Sequence, residues 1–211
     1  MLKAIIFDMD GVISDTEKTH IIVETTLLKR FGVEVDGEEL SDKYAGVPSK
    51  VFMKKILDDH DVKTDINKLI EEKWAMVTDL ITKKLDPVPG VLELIDKLKN
   101  KGFKLAVGSS STPKFVNLTL HKLNIEDKFD AVVTIDDVKN GKPSPDIFLL
   151  AAKKLAVAPE ECLVIEDGRS GMEAAKSAGM RCVGLVKDKN RKDYPTEFLV
   201  ENLDEINLDN L

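Results

Sequence analysis

The sequence is poor in cysteine: only Cys162 and Cys182 occur among 211 residues. Two cysteines cannot build a disulfide framework, so a stapled miniprotein is excluded. Each opens a short apolar stretch and is expected to be a buried thiol. No apolar run approaches the ~18 residues that a membrane span requires, and no amphipathic membrane helix stands out, so no membrane partner is expected. No leader-like segment precedes the first strand-like run, which makes a reducing cytoplasm the expected compartment. An excess of basic residues is also missing. Thirty-one Lys and Arg stand against 38 Asp and Glu, for a formal net charge of −7. Sequence-independent nucleic-acid binding relies on cations that neutralise phosphates, so no nucleic-acid partner is expected. A small anionic ligand is not excluded, because a local pocket can oppose the global sign. The chain has no internal repeat, no low-complexity tract and no signal for an oligomer, so a monomer is expected.

The residues present have an ordinary globular balance, 43% hydrophobic and 33% charged, which rules out disorder and collagen. Lys3 to Asp8 is a short apolar run that stops at an acid. It is too short for a helix and reads as a buried strand of a parallel sheet covered on both faces. Similar runs recur at Lys104 to Gly108, Ala131 to Ile135, Cys162 to Ile165 and Arg181 to Leu185, with a weaker one at Glu197 to Val200. Helical patterns lie between them at Val91 to Lys101, Pro113 to Leu123, Pro145 to Leu155 and Ser170 to Ala178. This alternation predicts an α/β fold with a doubly wound parallel sheet.

From about residue 16 to 86 only helical periodicity is found. The apolar faces read as Ile21, Ile22, Thr25, Leu28 and Lys29, then Val51, Phe52, Lys55 and Ile56, then Leu69, Ile70, Trp74, Val77 and Ile81. Some 70 helical residues are too many for a simple crossover. The economical division is an α/β core of residues 1–15 and 87–211 with a helical insertion at 16–86, its far end punctuated by Pro87, Pro89 and Gly90. Ligands of open parallel sheets bind beyond the carboxyl ends of the strands. A domain inserted after the first strand would sit above that edge and could close over it.

Four strand ends carry polar chemistry. The first reads Asp8-Met9-Asp10-Gly11. Residues i and i+2 of an extended chain point the same way, so both carboxylates can face one site, as cation ligands or as nucleophile and acid/base. The second reads Gly108-Ser109-Ser110-Ser111-Thr112-Pro113 and enters a helix. It suits phosphate oxygens, and equally simple capping by Ser111 or Thr112. After the third strand, Lys142 lies in a loop stiffened by Gly141, Pro143 and Pro145, either as an anion-neutralising lysine or as a surface one. The fourth ends Glu166-Asp167-Gly168, whose adjacent acids should diverge, one toward a metal and the other acting through water or orienting Lys142, or else simply complement the dipole of the helix that follows. Each signal alone is modest. Together they put acids, a hydroxyl and a lysine along one sheet edge.

The four segments DMDGV, VGSS, GKPSPDIF and IEDGRSGMEAAKSAGM, in this order, make the chain resemble the haloacid dehalogenase superfamily of phosphotransferases. Within it the chain is similar to the β-phosphoglucomutase-like subfamily with a helical cap, over essentially its whole length. The resemblance implies that Asp8 attacks phosphorus and becomes an aspartyl phosphate, while Asp10 serves as acid and then base. It implies Mg²⁺ held by Asp8, the Asp10 carbonyl and Asp167 with Glu166 in support, and Ser109, Ser110 and Lys142 around the phosphoryl group. Gly168 departs from the pattern, since many relatives carry Ser there, which puts metal affinity in question.

Specificity is expected from the inserted helices. Thr16 and His20 follow the first motif, and His20 reads either as a support for Asp10 or as a half-exposed helix residue. The segment from Gly46 to Lys50 resembles the cap's specificity loop, in which mutase relatives present an arginine to a distal phosphate. Here Ser49 matches that position and Lys50 follows, while Thr112-Pro113 stands where a mutase would offer Lys-Asn. This favours a phosphatase of small phosphorylated metabolites, sugar phosphates above all, over a β-phosphoglucomutase-type mutase. Lys73 reads as substrate-facing or solvated, Trp74 as core, and His60 and His121 as partnerless surface residues. A haloacid dehalogenase would lack Asp10, a receiver-like module would lack the insertion, and a retired binding module would have lost Asp8 or Asp10.

Overall fold

The structure, a computed structural model, describes residues 1–44, 47–190 and 193–207. Six parallel strands form one sheet: β1 (Ala4–Phe7), β2 (Lys104–Gly108), β3 (Ala131–Val133), β4 (Cys162–Glu166), β5 (Arg181–Leu185) and β6 (Phe198–Val200). Their order is β3-β2-β1-β4-β5-β6. The direction of winding reverses between β1 and β4, and that switch point opens a crevice at their carboxyl ends.

The apolar strands are apolar because both faces are covered. On one face Ile5, Phe7, Leu105, Val107, Leu163 and Ile165 pack with helices α5 (Val91–Asn100) and α6 (Pro113–Lys122). On the other, Ala4, Ile6, Ala106, Val164 and both cysteines pack with α7 (Asp146–Leu155) and α8 (Arg169–Ser177). The period-2 alternation of a strand sorts the residues onto these two faces. The third strand is shorter than expected, because Ile135 already belongs to a 3₁₀ turn capped by Thr134 and Asp137.

Between β1 and α5 lie four helices: α1 (Glu17–Lys29), α2 (Gly37–Tyr44), α3 (Ser49–Asp59) and α4 (Ile66–Lys83). The two passages joining them to the sheet run side by side. Val88 N–H donates to the Ile13 carbonyl and Asp15 N–H to the Asp86 carbonyl, both at 3.0 Å. The buried faces match the expected ones in part: Leu28, Phe52, Ile56, Leu69, Val77 and Ile81 are buried as expected, while α1 and α3 are turned at their edges. Helix α1 buries Val23, Glu24, Leu27 and Leu28 while Ile22 is 60% exposed, and α3 buries Met53 and Leu57 while Val51 is 60% exposed. A polar residue with buried partners, Glu24, takes a core position that an apolar count assigns elsewhere. Among the described residues no helix is long and apolar enough to cross a membrane.

Candidate active site

The carboxyl ends of the central strands converge on one buried ion cluster. Asp8 follows β1 directly and its N–H donates to the Ile165 carbonyl at 2.9 Å, which ties it to the end of β4. Lys142, fully buried on the loop before α7, donates to Asp8 Oδ1 and, at 2.8 Å, to Glu166 Oε2. The other oxygen of Glu166 accepts from Gly168 N–H at 3.0 Å. Glu166 thus orients Lys142, and Asp167 diverges from it into the crevice. Burial lowers the affinity of Lys142 for its proton, but Asp8 and Glu166 more than reverse this and hold it charged. For Asp8, burial and the nearby Glu166 outweigh Lys142 and push the carboxyl up to about 8. Asp167 is likewise raised by burial, Glu166 and Asp8.

Asp10 has a different environment. Thr16 donates to its Oδ1, and Ser111 donates to its Oδ2 at 2.7 Å. His20 Nε2 lies 3.3 Å from Oδ1, off the line of a good hydrogen bond and with no other partner. Burial pushes this carboxyl up, yet His20, Thr16 and Ser111 together hold it down at about 2. Two carboxylates two residues apart are therefore driven in opposite directions by their different neighbours.

A cleft with roughly 760 Å³ of empty space, its open solvent-filled mouth included, lies above this pair. Asp8, Asp10, Ser110 and Asp167 line its floor, and His20, Glu24, Ser49, Lys73 and Trp74 line the wall built by α1, α3 and α4. Ser109 lies beneath the lining, fully buried, where its hydroxyl accepts from Ser111 N–H at 3.0 Å. On the wall, Lys73 is 1% exposed. Its Nζ lies 2.7 Å from His20 Nδ1, 3.0 Å from Ser49 Oγ, 3.3 Å from Glu24 Oε1 and 3.8 Å from the centre of the Trp74 ring. Burial pushes this lysine down from its ordinary range against the pull of Glu24 and Asp10. The His20 ring stands edge-on between Trp74 and Phe115, which fixes its plane.

Several expectations are corrected here. Lys50 is exposed and outside the cleft lining, because one step along α3 turns it about 100° from Ser49. Gly46 lies outside the described residues. The cap of α6 is Thr112 without any side-chain cap bond, since Ser111 turns instead to Asp10. His60 and His121 are exposed but not partnerless: each Nδ1 lies 2.8 Å from an acceptor, the Ile56 carbonyl and Glu126 respectively. Trp74 is a wall residue of the cleft as well as a packing one. The residue that sequence reasoning passed over is Glu24. The spacing Thr16, His20, Glu24 repeats every four residues and marks one face of α1.

The acids fit a hard divalent cation. Asp8, Glu166 and Asp167 each offer an oxygen, all within 4.8 Å of one another. Among the described residues Lys142 is the one cation bonded to this cluster, so negative charge remains in excess, as the raised Asp8 and Asp167 carboxyls register. The backbone is shaped around the cluster. Gly11 has φ +84°, and a Cβ there would overlap the Asp167 carboxylate; at Gly171 it would overlap Glu166.

Comparison with known proteins agrees with this arrangement. Residues 5–185 match the family model described as haloacid dehalogenase-like hydrolase. The chain is 36% identical over 194 residues to a phosphorylated carbohydrates phosphatase of Thermotoga maritima, covering 90% of this chain and 88% of that one. It is 34% identical over 194 residues to a β-phosphoglucomutase of Bacillus subtilis, covering 87% and 83%. A crystal structure of a β-phosphoglucomutase from Clostridium difficile superposes with a TM-score of 0.88 at 30% identity, covering 100% of this chain and 95% of that chain. The chain belongs to the haloacid dehalogenase-like hydrolase family.

Proposed function

We propose that this chain is a Mg²⁺-dependent phosphatase of small phosphorylated metabolites, sugar phosphates above all, working through an aspartyl phosphate on Asp8. The observation that carries the reading is the Asp8–Asp10 pair, one carboxylate bonded to Lys142 and the other held ionised by His20, Thr16 and Ser111, on the floor of one cleft. Phosphatase and phosphosugar mutase names among the relatives support this class of chemistry.

Asp8 Oδ attacks phosphorus, an oxygen–phosphorus bond forms, and the ester oxygen leaves with its electron pair and takes a proton from Asp10. Asp10, now a carboxylate, accepts a proton from water, whose oxygen attacks phosphorus and returns Asp8 with inorganic phosphate. In the free site Asp10 is already ionised, so it is set for the base half. The acid half requires that bound phosphoryl charge raise it. Lys142 offsets charge on the transferring group, Ser110 borders it, and Ser109 stiffens the turn beneath through Ser111. Asp8, the Asp10 carbonyl and Asp167, with Glu166 in support, would hold Mg²⁺, which would supply the positive charge that lets a carboxylate approach a phosphate ester. Residues 16–86 act as a cap that excludes water and shapes the leaving group's pocket.

A β-phosphoglucomutase reading is favoured by the superposition with the Clostridium difficile enzyme. Supplying β-glucose 1-phosphate with catalytic bisphosphate separates the two. Free phosphate formed faster than glucose 6-phosphate is the expected outcome; the reverse overturns the phosphatase reading.

A further inference from the structure

The wall of the cleft facing Asp8 carries a lysine that is not available to a ligand's anion. Lys73 is 1% exposed, and its ammonium is surrounded by His20 Nδ1, Ser49 Oγ, Glu24 Oε1 and the Trp74 ring. An ammonium has three N–H donors, and these three polar neighbours match that number. Glu24 is 5% exposed, accepts from Ser49 Oγ at 2.7 Å and lines the cleft itself. The wall therefore presents a carboxylate already matched to its cation, a hydroxyl and an aromatic face.

We propose that Glu24 determines specificity by excluding a second phosphate, which restricts the cleft to monophosphate esters with a neutral, hydroxyl-bearing remainder. The inference rests on the phosphatase reading and narrows its substrate class. A second phosphate at this wall would find Lys73 already engaged by Glu24, Ser49 and His20, so no free cation among the described residues there offsets its charge, and the Glu24 carboxylate beside it adds repulsion in a site shielded from water. Sugar hydroxyls are both donors and acceptors, so they can bond to Glu24 or Ser49 without a charge to offset.

The test compares fructose 6-phosphate with fructose 1,6-bisphosphate, which differ by one phosphate. Dissociation constants are measured by titration calorimetry with Mg²⁺ on Asp8→Asn protein, with and without Glu24→Gln. The expected result is that Glu24→Gln narrows the preference for the monophosphate by about tenfold, through tighter bisphosphate binding. An unchanged ratio overturns the exclusion role and leaves the phosphatase reading standing. Failure of both ligands to bind either protein overturns the inference together with the phosphate-ester reading. If Glu24→Gln alone does not fold, the double variant Glu24→Gln/Lys73→Met removes the buried pair together. It too is expected to lose preference for the monophosphate. Full retention of that preference contradicts the proposal.

Discussion

Lys73 Nζ and His20 Nδ1 lie 2.7 Å apart, which joins the wall of the cleft to the Asp10 carboxylate beneath it. His20 Nε2 in turn faces Asp10 Oδ1 at 3.3 Å. His20→Gln removes the largest influence holding Asp10 down. The limb of the kcat/KM profile that reports Asp10, the high-pH one because the first step needs its proton, is expected to move upward by about one unit. An unmoved limb assigns that limb to another group.

Lys142 lies between two buried acids. Lys142→Met leaves Asp8 and Glu166 without their cation. Breaking a buried pair from one side costs about 3–5 kcal/mol. Urea unfolding at pH 7 is expected to show a loss of that size, together with loss of phosphate release.

In metal-free protein the Asp8 carboxyl is raised from 3.8 to about 8, and Asp167 is raised with it. Between these limits the folded state holds protons that the unfolded chain has released. Stability therefore falls as pH rises from about 4 to about 8. Thermal melts in chelator are expected to show this fall. Asp8→Asn flattens it, and Mg²⁺ stabilises the protein more at pH 8 than at pH 5.

Gly11→Ala is expected to cost about 1–2 kcal/mol from the left-handed backbone alone. It also displaces Asp167, against which a Cβ would press. Weaker Mg²⁺ affinity, read by calorimetry, accompanies the loss of stability. Normal affinity would show that Asp167 relaxes freely.

The sheet was legible because parallel strands buried on both faces read as continuous apolar runs, and the two beside the switch point, β1 and β4, lead into acids. Asp8, Lys142 and Glu166 are up to 158 residues apart, yet two strand ends and one loop are enough to align them. The helices of residues 16–86 were harder to read. Their cores admit buried charge, so Glu24 and Lys73 occupy positions that an apolar stripe leaves to Ile22 or to solvent. Ser111 was also hidden, because a hydroxyl before a helix reads as a cap until a carboxylate from another strand is known to lie 2.7 Å away.

The central assignment is Asp8 as nucleophile. The direct measurement is inorganic phosphate released from a panel of sugar phosphates with Mg²⁺, by the unaltered protein and by Asp8→Asn. The expected result is release by the unaltered protein and a loss on the order of 10³-fold or more in the variant, which binds ligand but cannot attack phosphorus. Equal release by both proteins would contradict the assignment.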